Sequence, residues 1–239
     1  MIVQACINGA RPAGYHAALP LTAEAMARDG AACVGAGAAE LHIHPRADGR
    51  ESLFAIDATI PLVRKACPGT LIGVSTGAWI EADEAQTRAA IDGWAELPDY
   101  ASVNLSESDA PGVMERLSRC GVGIEAGLAS VADAERLVGL EHGGRVLRVL
   151  IEISGQDFEE ARAVADDIFA VLEAARMRKP ILLHGENATV WPFVELAAAR
   201  RWSTRVGLED GHTLPDGTIA AGNAAMVAAA AGIFRAVRQ

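Results

Sequence analysis

The segment Leu41-His42-Ile43-His44-Pro45-Arg46 sets two imidazoles one residue apart in a chain that has six histidines. On an extended strand a spacing of two points both rings to the same side. Neutral imidazoles are ligands for zinc and similar divalent metals, and a catalytic zinc takes about three protein ligands and keeps one position open. A carboxylate is the best third ligand. Glu209, in Val206-Gly207-Leu208-Glu209-Asp210, is the candidate if the fold joins the two segments. Glu40 lies two residues before His42 on the same face, a layer deeper, and is the poorer candidate. The competing reading is a pair of lining histidines satisfied by hydrogen bonds alone. Pro45 has no amide donor and stops the strand, and Arg46 begins the loop that follows.

Other residues carry chemistry that the fold must place. Ser75-Thr76-Gly77 and Asn104-Leu105-Ser106 offer hydroxyls, though each also suits an ordinary turn. Arg205 and Glu209 share strand parity, which on a straight strand puts them ~13 Å apart at ~3.3 Å per residue. Gly207 between them can mark a bulge that shortens this. If the strand has ended by Asp210, that residue is a loop carboxylate poised as a base, with Arg205 orienting it. The alternative is a turn residue before Gly211. His184 is a cleft histidine or a structural one.

The elements that must hold these side chains alternate in kind. Short apolar runs at 2–7, 40–44, 70–74, 100–105, 121–125, 146–153, 180–184 and 204–208 read as strands. Amphipathic stretches read as helices at 22–36, 52–66, 83–95, 111–119, 131–139, 157–177, 188–200 and 223–237. Thr22 is the expected N-cap of the first, and Pro68-Gly69 ends the second. Strict βα alternation requires parallel strands with helical crossovers. Eight such units at this length predict an α/β fold, a single (β/α)8 TIM barrel over residues 1–239. An open doubly wound sheet is the runner-up, but the first βα turn, Asn8-Gly9-Ala10-Arg11, has no GxGxxG.

In a barrel, the C-terminal strand ends form the reaction face. That rule collects Asn8 and Arg11, His42, His44 and Arg46, Ser75 and Thr76, Asn104 and Ser106, Glu125, Glu152 and Ser154, His184 and Glu186, and Glu209 and Asp210 at one end. Arg176, Arg178, Lys179, Arg200 and Arg201 fall on the opposite face and read as solubility and stability residues. In a closed barrel the eighth strand neighbours the first and the first neighbours the second, so Glu209 comes within reach of the histidine pair.

Composition narrows the function classes. The formal net charge of −10 repels phosphate backbones and argues against nucleic-acid binding. No apolar run reaches the ~18 residues of a membrane span, and the N-terminus lacks the basic region of a signal peptide. Cys6, Cys33, Cys67 and Cys120 form no CxxC pair and read as reduced thiols of a cytoplasmic protein.

With these residues in place, the chain resembles the beta-keto acid cleavage enzymes, formerly a domain of unknown function. The resemblance rests on "NGAR", "AGAAELHIHPRADGRES", "STG" and "VGLED". It implies a zinc-dependent (β/α)8 enzyme in which a 3-keto acid and acetyl-CoA exchange to acetoacetate and a new acyl-CoA. It further implies Zn2+ on His42, His44 and Glu209, with Asp210 as the base positioned by Arg205. Ser75 and Ser106 would hold the substrate carboxylate and the oxyanion, with Asn8 beside them, and a homotetramer is the typical assembly. Arg11 stands where many members carry an acidic residue, which suggests a substrate without positive charge, for example one with a second carboxylate. The chain is short for the family, with trimmed loops around strands four to six that bear on the coenzyme A site. A metal-dependent hydrolase of the amidohydrolase type and a non-catalytic ligand-binding barrel are the alternatives. The first usually carries its HxH on the first strand, and here it is on the second.

Overall fold

The computed structural model describes residues 1–237; Arg238 and Gln239, the last two of the expected domain, lie outside the described residues. Eight parallel strands close into a barrel. They are β1 (Val3–Cys6), β2 (Glu40–Ile43), β5 (Leu71–Ser75), β6 (Tyr100–Asn104), β7 (Gly123–Leu128), β8 (Arg148–Ile153), β9 (Ile181–Gly185) and β10 (Ser203–Val206). The strands follow one another around the ring in chain order, and β10 pairs with β1 to close it. Helices α1 (Ala23–Ala36), α2 (Ile56–Ala66), α3 (Glu84–Gly93), α4 (Ala110–Cys120), α5 (Val131–Gly139), α6 (Phe158–Ala174), α7 (Val190–Ala199) and α8 (Asn223–Ala236) form the outer layer. This is the (β/α)8 architecture. Among the described residues no helix is long and apolar enough to cross a membrane.

Strand periodicity divides the residues cleanly. One parity, Val3, Ala5, Ile7, Leu41, Ile43, Ile72, Val74, Val103, Ala126, Val149, Ile151 and Leu183, is aliphatic and forms one hydrophobic cluster with residues of the helices. The other parity points into the barrel and is mostly polar. At the base Arg148 pairs with Glu40 and, at 2.5 Å, with Glu125, while its guanidinium lies 4.7 Å from the Tyr100 ring centre. Gln4 donates to Tyr100 Oη and to Glu125. The stabilising apolar burial therefore lies in the sleeve between sheet and helices, and the barrel interior is left free to hold charge.

Local signals explain the element ends. The Thr22 hydroxyl accepts from the Ala25 amide at the start of α1, as expected, and Asp83 caps α3 in the same way. The fifth barrel strand, expected over 121–125, runs from Gly123 to Leu128. Gly121 is the left-handed cap of α4, so the chain turns before it extends. Glu125 is thereby a fully buried base residue of β7, and its expected place at the strand end is corrected. The expected second helix begins later, because Leu53–Ala55 winds as a 3-10 turn before α2.

A two-stranded hairpin that the strand pattern did not predict follows β2. It comprises β3 (Arg46–Ala47) and β4 (Arg50–Glu51). Asp48 and Gly49, both at positive φ, make its two-residue turn. Arg46 donates to the carbonyls of Gly9 and Arg11 and so ties this hairpin to the loop after β1.

Candidate active site

His42 and His44 leave the end of β2 with their Nε2 atoms 3.1 Å apart. Glu209 Oε1 lies 3.5 Å from His44 Nε2 and 4.0 Å from His42 Nε2. One ligand atom from each of the three residues falls within 4.8 Å of the others. Two imidazole nitrogens facing each other with a carboxylate beside them is a donor set for a divalent metal. The outer shell fits too. Glu51 of β4 accepts from His44 Nδ1, which fixes the ring and turns the Nε2 lone pair toward the shared point. Glu209 Oε2 is buried with no hydrogen-bond partner in the protein.

The electrostatics agree with a ligand set. Burial, with the positive charge of Arg205 and His44, lowers His42 to about 3, so it is neutral at ordinary pH. Burial also works against a charge on His44, but Glu209 and Glu51 outweigh it and raise the group to about 9. The pocket thus demands a positive charge at the point where the nitrogens meet, and a metal ion supplies one. Burial opposes the charge on Glu209, yet Arg205 and the two histidines hold it well below the usual carboxylate range.

Glu209 and Asp210 reach the site through the turn after β10. Gly207 approaches β1 so closely that a Cβ there would lie 1.9 Å from the Cys6 carbonyl oxygen. Its own carbonyl accepts from the amides of Asp210 and Gly211, and the strand ends. That turn replaces the straight-strand separation of Arg205 and Glu209 with a contact of 2.6 Å. Arg205 Nη2 also reaches Asp210 Oδ1 at 3.1 Å. Asp210 Oδ2 accepts from the Cys6 thiol at 2.7 Å, and His184 Nδ1 lies 3.5 Å from Asp210 Oδ1. Burial raises the Cys6 thiol well above its ordinary value, with Asp210 adding to the effect, so it is a neutral donor.

A cavity of about 310 Å³ opens onto these groups. Ser75 lines it, and its hydroxyl also accepts from the Gly77 amide. Ser102 and Asn104, consecutive inward residues of β6, line it as well. Ser106 does not. It is exposed in the turn that follows, where the Glu107 amide donates to the Asn104 carbonyl and the chain leaves the barrel mouth. Asn8 does not line it either. It is fully buried, accepts from the His44 amide, and donates to the carbonyls of His44 and Pro20, so it braces the backbone of a metal-ligand candidate. Arg11 lines the cavity, but its Nε donates to the Glu209 carbonyl, its Nη2 to Asn187, and its guanidinium lies 4.5 Å from the Tyr15 ring centre.

Glu51 and Trp79 come from the structure rather than from the pattern, whereas Glu152 and His184 were already expected at the mouth. Glu51 needs the hairpin, and the Asp48-Gly49 pair was its signal. Trp79 stands over the cavity, donates to Glu51 Oε2 at 3.2 Å, and packs where a Cβ on Gly77 would be. Glu152 and His184, adjacent strand-end residues, pair at 2.9 Å. Burial opposes the charge of Glu152, but His184 and Arg205 hold it down to about 2.

With this geometry established, the sequence matches the beta-keto acid cleavage enzyme family over residues 1–140 and 155–239. The chain belongs to that family. The unmatched stretch between these spans contains β8, which carries Arg148 and Glu152. No curated protein sequence matches the chain. Among solved structures, apo ObcA superposes with a TM-score of 0.72 at 19% identity, covering 88% of this chain and 60% of that one. ObcA in a binary complex with oxaloacetate gives 0.70 at 19% identity, covering 88% and 62%. A type I 3-dehydroquinate dehydratase from Clostridium difficile gives 0.65 at 12% identity, covering 98% and 93%. These likenesses are of fold, and the chain spans about 60% of the length of ObcA.

Proposed function

We propose that this family member is a zinc enzyme that exchanges a 3-keto acid with acetyl-CoA, giving acetoacetate and a new acyl-CoA. The observation that carries the reading is the junction of His42, His44 and Glu209 with the Arg205–Asp210 pair at one barrel mouth. A family match over both segments supports it. ObcA, a fold relative, forms a ternary complex with a C4-CoA adduct and oxalate, which supports a coenzyme A thioester as the partner.

Zinc held by His42, His44 and Glu209 would act as a Lewis acid for the negative charge that develops on the keto oxygen. Asp210 takes a proton from the carbon between the keto and carboxylate groups. Arg205 holds one Asp210 oxygen and the Cys6 thiol the other, so the base is fixed in one orientation. The substrate carbanion attacks the thioester carbonyl of acetyl-CoA, and the departing coenzyme A thiolate takes the proton from Asp210. The thiol then returns its proton to Asp210 and attacks the original keto carbon; the carbon–carbon bond breaks, the acyl group moves to sulfur, and the departing enolate takes the proton from Asp210 to leave as acetoacetate. Ser75, Ser102 and Asn104 line the cavity, and in this reading they would bind the substrate carboxylate and the oxyanion. The resemblance gives this role to Ser106, which does not line the cavity, and we propose Ser102 for it instead. Arg11 secures the Glu209 backbone. The same reading makes the enzyme a cytoplasmic homotetramer, which sedimentation of the purified protein measures.

Incubating acetyl-CoA with a panel of 3-keto acids and following products by mass tests the reaction. Acetoacetate together with a matching acyl-CoA is expected. No exchange across the panel by zinc-loaded protein sinks the proposal. Metal analysis provides the companion result: near-stoichiometric zinc, lost in His42→Ala.

A further inference from the structure

Glu152 on β8 and His184 on β9 stand opposite each other in the barrel register, and the reaction proposed above gives neither a role. His184 Nε2 lies 2.9 Å from Glu152 Oε2. Its Nδ1 is buried without a hydrogen-bond partner and lies 3.5 Å from Asp210 Oδ1. An ionised carboxylate only accepts, so Nε2 carries a hydrogen on the Glu152 side. Asp210 is a second carboxylate. A hydrogen on Nδ1 makes that contact attractive, and a lone pair makes it repulsive. Burial and the Arg205 charge work against a charge on His184, but Asp210 and Glu152 outweigh them and raise the group above its ordinary value. Charge balance points the same way. Arg205 Nη2 faces three carboxylates, Glu209 at 2.6 Å, Asp210 at 3.1 Å and Glu152 at 3.6 Å. Its two hydrogens serve the nearer two, and the His184 imidazolium supplies a second cation between Glu152 and Asp210. Contacts that aim a catalytic group are often long until substrate is bound, which is the state of the Nδ1 contact here.

We infer that His184 is a positioning residue for the Asp210 base, and that Glu152 acts through it by holding the ring with Nδ1 turned to Asp210. The inference rests on the role proposed above for Asp210 and adds the pair to it. Arg205 and His184 both stand on Oδ1, while the weaker thiol donor of Cys6 stands on Oδ2. Oδ1 is therefore the anchored oxygen, and Oδ2 is left to take the proton. Glu152 lies between the two segments that match the family, so half of this pair stands outside the family pattern.

The test separates the two contacts of the ring. His184→Asn sets an amide nitrogen near the place of Nδ1 and gives up the Glu152 bond. His184→Gln sets it near the place of Nε2 and gives up the Asp210 contact. The zinc-loaded proteins are compared in two assays on the panel of 3-keto acids. One is cleavage with acetyl-CoA. The other is exchange of the α-hydrogen in heavy water without acetyl-CoA, followed by NMR above the protein-free rate. In both, His184→Gln is expected to lose about tenfold to a hundredfold in rate at saturating acid, with KM changed by less than about twofold. His184→Asn is expected to lose about threefold or less. Glu152→Gln should slow the wild type by about threefold to tenfold yet change His184→Gln little, because it acts through the ring. The inference is overturned if His184→Gln performs as well as His184→Asn, or if KM rises while the saturated rate holds. It is equally overturned if the Glu152 and His184 effects multiply, or if both histidine variants lose the thermal unfolding transition, as a purely structural residue would cause. Exchange without cleavage overturns the proposed reaction, and the exchange rates of the variants then decide the inference alone. Neither exchange nor cleavage of any acid by the wild type overturns both.

Discussion

At the scale of single residues, the site divides into groups that touch the metal point and groups that aim them. Glu51 is the clearest of the second kind. It fixes the His44 tautomer on one side and accepts from Trp79 on the other. Replacing it by Ala leaves both histidines and Glu209 in place but frees the His44 ring. Loss of such an outer partner typically costs about 10–100-fold in metal affinity. Competition with a chelator should show a loss of this size in Glu51→Ala, while thermal unfolding of the metal-free protein shifts little. Unchanged zinc affinity would make the Glu51 contact incidental. The trio His42, His44 and Glu209 was legible in the sequence because strand parity and barrel closure are both arithmetic on the chain. Glu51 was less so, because its contact depends on a two-residue turn doubling the chain back. Ser102 was missed for a related reason. Attention to the strand end favours Ser106, whereas the inward parity of β6 runs through Tyr100, Ser102 and Asn104 and stops there.

At the scale of elements, the decisive joint is where the last strand meets the first. Asn223, the first residue of α8, accepts from the Leu208 amide at 2.7 Å and donates to the Ile7 carbonyl at 2.8 Å and to Asp29 at 2.7 Å. One side chain thus joins α8 to the exits of β1 and β10 and to α1. It also holds the turn that delivers Glu209 and Asp210. Asn223→Leu removes these bonds and leaves the buried Leu208 amide and Ile7 carbonyl without partners. A loss on the order of 3 kcal/mol in unfolding free energy is expected, measurable by denaturant titration, with zinc affinity falling in the same variant. A loss under about 0.5 kcal/mol would show that the joint is held elsewhere. This clamp was invisible in the sequence, where Asn223 reads only as a helix start. The strands and helices themselves were legible because their periods differ. Their ends were not wherever a glycine cap, as at Gly121, shifts the start of a strand.

At the scale of the whole molecule, the fold holds a charged interior inside an apolar sleeve, and this makes two predictions about stability. Arg148 carries the base of the barrel between Glu40 and Glu125. Arg148→Met leaves two buried carboxylates facing each other, and removing one partner of a buried ion pair typically costs about 3–5 kcal/mol. Arg148→Met combined with Glu40→Gln and Glu125→Gln should recover most of that loss, because the uncompensated charge goes with the cation. If the triple variant is no better than the single one in denaturant titration, packing of the arginine stem is what matters there.

The second prediction concerns pH and the outer layer. Asp29 on α1 is mostly withdrawn from water, and this burial raises its carboxyl to about 6, while the bond from Asn223 lowers it in part. A carboxylate whose folded value exceeds its unfolded value of roughly 3.9 binds a proton more readily in the native state. Its contribution to stability is complete below the unfolded value and is lost as pH rises through about 6. The wild type should therefore lose stability between about pH 4 and pH 6 through this group and change no further above that window. Asp29→Asn keeps an acceptor for Asn223 and has no charge to desolvate. It should be more stable than the wild type at pH 7 and 8, with the difference shrinking as pH falls toward 4. Denaturant titrations of both proteins across that range measure it. A difference that is constant with pH would assign the gain to packing, and a difference that grows toward acid would reverse the sign and remove the burial argument. Because Asn223 connects Asp29 to the joint beneath Glu209, the same titration series with zinc present also shows whether that charge loosens the metal site or only the helix layer.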